Sequence, residues 1–183
     1  MACIKKLEQN VTFDCAKAVE PVSMRGIEEL ILVNYDDISN YSVDNAGLAT
    51  ITMKQGKKGY TVASVGNSVS ATIAARANDI IPTAQEHSII IKLITNSGAI
   101  GTSEFSALIY ALQQGSYIAC VLTASNKYFV YGLLSGLECS EIAGDSATDG
   151  IISVTLKTPD AAGGDRLLAI TEGAYGGLKI PKA

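Results

Sequence analysis

A chain of 183 residues has room for one domain with a core of its own, or for two very small ones. Hydrophobic residues make up 48% and charged residues 17%, against about 25% charged in an ordinary soluble domain, so the composition suits a protein that buries extra surface against partners. The net charge of −4 argues against a general nucleic-acid binder, which needs a basic face, and the lack of Trp argues against an aromatic carbohydrate platform.

The opening, "MACIKKLEQN", has no apolar h-region, so no signal peptide is expected. No apolar run approaches the roughly 18–20 residues that a membrane helix needs. Cys3, Cys15, Cys120 and Cys139 show neither CxxC nor zinc-type spacing. They are expected to be mostly buried, reduced thiols of a protein made in a cytosol. Asn10-Val11-Thr12 and Asn40-Tyr41-Ser42 match the glycosylation sequon, which carries weight only with secretion.

Period-2 alternation dominates the rest. "GIEELILVNY" and "SIIIKLIT" are rich enough in apolar residues to predict strands covered on both faces, by a second layer or by a neighbouring subunit. "ATITMKQ" alternates Ala49, Ile51 and Met53 against Thr50, Thr52 and Lys54. "SVSATIAARA" puts Val69, Ala71, Ile73, Ala75 and Ala77 on one face, and "IISVTLKT" does the same with Ile152, Val154 and Leu156. Turn signals fall between these runs: Gln55-Gly56 and Lys58-Gly59 frame a tip, and Asn126-Lys127 predicts a hairpin.

One segment breaks the rhythm. "TSEFSALIYALQQGSY" sets Phe105, Leu108, Ile109 and Leu112 at i, i+3, i+4 and i+7. Thr102 or Ser103 serves as N-cap, Glu104 sits in the first turn, and Gly115 provides the stop. The reading is a helix around 102–115 lying on an open sheet face. The whole is one mainly β domain, residues 1–183, with packed sheets forming a sandwich or barrel and one flanking helix. The last stretch, about 172–183, carries three glycines and a proline and reads as loosely held.

Chemistry is not visible in this pattern. In "GLECSEIAGDSATDGIISVTL", Asp145 and Asp149 lie four apart, without the alternating ligands and closing Glu of a calcium loop. Asp149-Gly150 reads as the turn of a hairpin. His87 is the only histidine, with no G-x-S-x-G elbow elsewhere, and is expected in a solvated turn. Asp36, Asp37 and Asp44 could supply a carboxylate pair for glycoside hydrolysis. If Asp36 and Asp37 lie in a strand, however, they point to opposite faces. Lys54, Lys57 and Lys58 in "KQGKKGY" read as a hairpin tip whose lysines blunt edge pairing, rather than as a phosphate site. There is no Walker A or G-x-G-x-x-G stretch. No catalytic, cofactor-binding or metal-ligating residue is assigned, no cofactor is expected, and the chain is read as not an enzyme.

"LTASNKYFVYGLLSGLECSEIAGDSATDGIISVTLKTPD" resembles the C-terminal part of small structural proteins of tailed bacteriophages, with a "G-L" step after a hairpin strand and a "D-G-x-x-x-T-L" strand. "FDCAKAV…RGIEELILVNYDDI" is similar to the openings of virion proteins from phages of Bacteroidetes hosts. The resemblance rests on Asp14, Cys15, Gly26, Ile27, Asp36, Asp37, Gly132, Asp149, Gly150 and Leu156; the family's paired glycine is here Arg25-Gly26. It implies a tail-tube-like fold. It also implies homo-oligomeric rings, hexameric as in tail tubes or of higher order as in the neck of crAss-like phages. The implied partners are other copies of the chain and other tail or neck proteins, with viral DNA only in transit and no membrane. The implied location is the virion, assembled in the host bacterial cytoplasm. A net negative subunit fits a conduit that repels phosphates, although sequence does not choose which acids, Asp36 and Asp37 among them, face the channel. The reading from another class is a β-sandwich module that attaches to a host-surface glycan or protein.

Overall fold

The structure is a computed structural model that describes residues 26–63, 68–75, 85–94, 103–144, 151–160 and 164–180. In chain order the strands are β1 (Ile27–Asn34), β2 (Ile38–Val43), β3 (Leu48–Met53), β4 (Tyr60–Ala63), β5 (Val69–Ala75) and β6 (Gln85–Ile94). The helix α1 (Ser103–Gln114) follows. Next come β7 (Ser116–Thr123), β8 (Tyr128–Tyr131), β9 (Leu137–Gly144), β10 (Ile151–Lys157), β11 (Leu168–Ile170) and the short helix α2 (Glu172–Leu178). The chain is therefore mainly β with a flanking helix where the apolar stripe places one. α2 is an addition.

β1 and β7 form the centre, antiparallel from Ile27↔Thr123 to Asn34↔Tyr117. Both read as near-continuous apolar runs because both faces are covered. Leu30 and Leu32 join Tyr117, Ala119 and Val121 in one core cluster. Ile31 and Val33 join Ile118 and Cys120 in the other. The far edge of β7 is shared end to end, by β9 at Ser116–Tyr117 and by β8 at Ala119–Leu122. From that split the sheet runs two ways, to β9-β10-β6-β5 and to β8-β11-β3-β2. The first wing supplies Val69, Ile89, Ile91, Val154 and Leu156 to one cluster, closed by Ala111 and Leu112 of α1. The second wing supplies Ala49, Ile51, Leu168 and Ile170 to the other, closed by Tyr175 and Leu178 of α2.

The "SIIIKLIT" strand differs from expectation. β6 buries Ile89, Ile91 and Leu93, but Lys92 is exposed and Ile90 only half-buried. One face is covered and the other is open. The ladder partners on that open face are Ser70 and Thr72 of β5 and Ser153 and Thr155 of β10, which suit water.

Position 115, just after α1, has room only for glycine. A Cβ there would overlap the phenol of Tyr117, which is fully buried and bonds the Ala111 carbonyl at 2.5 Å. The predicted hairpin forms between β7 and β8, with Asn126 at φ 58°. Residues 172–180 of the stretch expected to be loosely held are instead tied down, and 181–183 lie outside the described residues. Thr171 caps α2 by accepting from the Ala174 N–H at 3.3 Å. Tyr175 and Leu178 are buried, and Gly59 N–H donates to the Leu178 carbonyl at 2.7 Å. Burial of two large side chains outweighs the glycine cost that made the segment read as loose.

Candidate functional site

The acids of "NYDDISNYSVDN" do not form a strand pair. Tyr35–Asp37 is one 3-10 turn between β1 and β2. Asp36 points to solvent, while Asp37 is buried and accepts from the Asn34 side-chain amide at 2.9 Å. Lys57 Nζ stands 3.7 Å from the Asp37 carboxylate. Asp37 therefore holds a corner of the fold. Asp44, after β2, accepts from the backbone N–H groups of Ala46 and Leu48, which is turn chemistry.

The lysine segment is a corner and not a hairpin tip. β3 pairs with β2 and β11, whereas β4 pairs with β1, so the chain crosses layers between Met53 and Tyr60. Lys54 Nζ donates to the Asp36 carbonyl at 2.5 Å and Lys58 Nζ to the Gly177 carbonyl at 2.7 Å. These cations brace the crossing, which opposes a role in holding phosphate.

His87 lies fully buried inside β6, so the expected solvated turn is corrected. Its backbone N–H donates to the Thr158 hydroxyl at 3.0 Å, and Thr158 N–H returns to the His87 carbonyl at 2.9 Å. Nδ1 accepts the Gly132 N–H at 3.1 Å, which fixes the ring as the neutral Nε2–H tautomer. Nε2 has no hydrogen-bond partner among the described residues, and the Tyr131 ring packs edge-on with centroids 5.2 Å apart. Burial holds the imidazole below its ordinary value of 6.5, with nearby Asp165 pulling the other way.

Asp165 is the residue that sequence reading passed over. It is buried, and its carboxylate accepts from Leu134 N–H at 3.1 Å and from Arg166 N–H at 2.8 Å. Its backbone exchanges two hydrogen bonds with Gln85 at the start of β6. This cluster of His, Asp and a nearby Ser135 holds the parts of a nucleophilic triad but not its geometry. A triad histidine donates a hydrogen bond from Nδ1–H to the carboxylate; here Nδ1 is an acceptor occupied by the Gly132 N–H.

A surface groove of about 300 Å³ lies where the ends of β1 and α1 meet β9. It is lined by Asn34, Asp36, Gln113, Gln114, Glu138 and Cys139, among others. Burial pushes the Cys139 thiol up, which makes it a poor nucleophile, and among the described residues no His or Lys lines the groove to counter that. Among the described residues, no three His, Cys, Asp or Glu side chains are placed to hold a metal ion, and no helix is long and apolar enough to cross a membrane. Residues 145–150, with Asp145 and Asp149, lie outside the described residues. The strands on either side pair antiparallel from Ile152↔Gly144, as a hairpin requires.

What stands out instead is the pair of sheet ends. Among the described residues β2 and β5 each pair on one side only. Neither "ISNYSV" nor "VSATIAA" contains a charge or a proline. Each carries a large exposed apolar side chain, Tyr41 at 37% and Ile73 at 39%. β2 has a bulge between Ile38 and Asn40, after which Asn40–Val43 run in regular register. No protein-family model matches this sequence, and neither the curated proteins nor the solved structures contain a significant match.

Proposed function

We propose that the chain is a virion structural subunit of a tailed bacteriophage, which forms homo-oligomeric rings of the tail tube or of the neck around a DNA conduit. The observation that carries the reading is the pair of uncharged, proline-free sheet ends. Soluble proteins blunt open edges with charges, prolines or coverage, because an open edge recruits other strands. β2 and β5 lack the first two. They terminate opposite ends of one sheet path. Two different edges meeting head to tail make a heterologous contact, and such contacts close into rings when the rotation between subunits closes. The low charge fraction and the phage-like sequence motifs support the same reading, as does a buried polar cluster arranged for structure. The other proposed contacts are with neighbouring tail or neck proteins, and with DNA only in passage.

Solution mass tests this. Light scattering across a concentration series is expected to give a closed multiple of the 19.1 kDa chain. A strict monomer at the highest concentrations contradicts the proposal.

A further inference from the structure

His87 makes one hydrogen bond through its ring, and that bond depends on the ring being neutral. The Gly132 N–H points at Nδ1. A proton added to Nδ1 sets one N–H against another, removes the acceptor and leaves a charge in the core beside a second unpartnered donor at Nε2. Gly132 opens a turn that is sterically committed. Its φ is +74°, and a Cβ there would overlap Leu137. The turn also carries Leu134, whose N–H is held by Asp165 and whose carbonyl accepts from the Tyr35 hydroxyl.

The ionisable groups around the ring are few. Asp165 comes from the segment before β11, and its carboxylate is already engaged by the Leu134 and Arg166 N–H groups. Tyr131 comes from β8 and presents its ring. Glu86 and Lys157 pair with each other at 3.2 Å, on the opposite face of the β6–β10 ladder. Among the described residues Asp165 is thus the charge placed to answer an imidazolium, and turning toward it means releasing Leu134 and the Ser135 hydroxyl.

We propose that His87 is a pH-sensitive latch: its neutral ring locks the Gly132–Gly136 turn and the Asp165 segment, and protonation at acidic pH releases them together. The released surface carries Leu134 and Leu167, both exposed apolar side chains at the two ends of this tie. A chain closed at neutral pH thereby changes an apolar patch on acidification, whatever assembly it belongs to.

Because His87 is the single histidine, the test is clean. Hydrogen exchange is followed at residues 132–136 and 164–167 from pH 7.5 to 4.5, corrected for intrinsic exchange, in the wild type and in His87→Asn. The amide oxygen of Asn replaces the Nδ1 acceptor without titrating. The expected wild-type opening constant rises about tenfold per pH unit once the opened ring binds its proton, while His87→Asn stays flat. A flat wild type, or a variant that rises in parallel, overturns the latch. If His87→Asn does not fold, the imidazole signal of the wild type decides. The latch expects protonated ring only where Gly132 has lost protection. A ring that titrates while Gly132 stays protected overturns it.

Discussion

The Tyr175 hydroxyl donates to the Glu29 carboxylate at 2.9 Å, joining α2 to β1 across 146 positions of sequence. Lys179 Nζ reaches the same carboxylate at 2.5 Å and lies 5.1 Å from the Tyr175 ring centroid. Burial, reinforced by the Glu29 carboxylate, holds the Tyr175 phenol well above its usual range. Tyr175→Phe keeps the ring and removes the bond, so it is expected to cost about 2 kcal/mol, read as a lower midpoint in urea with an unchanged slope. No shift in the midpoint would show that α2 is held by apolar contact alone.

α2 pays for its glycines in stability. A Cβ at Gly176 meets nothing within 4 Å, and the residue is exposed and helical. Gly176→Ala is therefore expected to stabilise the chain by about 0.5–1 kcal/mol. Thermal unfolding checks it, and a lower melting temperature would mean that the segment is not helical in solution.

The two described cysteines should separate by reactivity. Cys120 is fully buried in β7, and burial pushes its thiol up to about 12. Folding favours its neutral form, so this contribution to stability is full below the ordinary thiol value of 9.0 and declines as pH rises toward 12. Iodoacetamide on native protein, followed by peptide mass mapping, is expected to label Cys139 while sparing Cys120. Labelling of Cys120 at the Cys139 rate would contradict its placement in the core.

Charges on the open edges should act on assembly and spare the fold. Tyr41→Lys on β2 and Ile73→Lys on β5 replace half-exposed side chains, so each is expected to change stability by less than about 1 kcal/mol. Each is also expected to abolish higher-mass species in light scattering. Assembly that survives both variants would locate the joint elsewhere.

Much of the fold was legible because it rests on local pattern. The apolar run of β1 signalled coverage on both faces, and the Phe105–Leu112 stripe signalled α1, whereas the similar run of β6 is covered on one face only. What was missed depends on distant partners. Three glycines hid α2, whose burial needs Tyr175 and Leu178 to meet β1, β3 and the Gly59 corner. Lys54 and Lys58 looked like a soluble tip because nothing local shows that β3 and β4 belong to different layers. His87 between polar neighbours looked solvated, and its neutrality is set by Gly132, 45 positions away. Asp165 looked like ordinary loop polarity in "AGGDRLL". Its only local hint was a glycine pair before a charged residue and an apolar run.

Negative-stain electron microscopy of the purified chain at high concentration decides whether the subunits close into rings. Closed rings of uniform diameter with a central channel are expected, and they are expected to be lost in Tyr41→Lys and Ile73→Lys. A field of small single particles with no rings, from protein that is folded and at the same concentration, would contradict the proposed ring assembly.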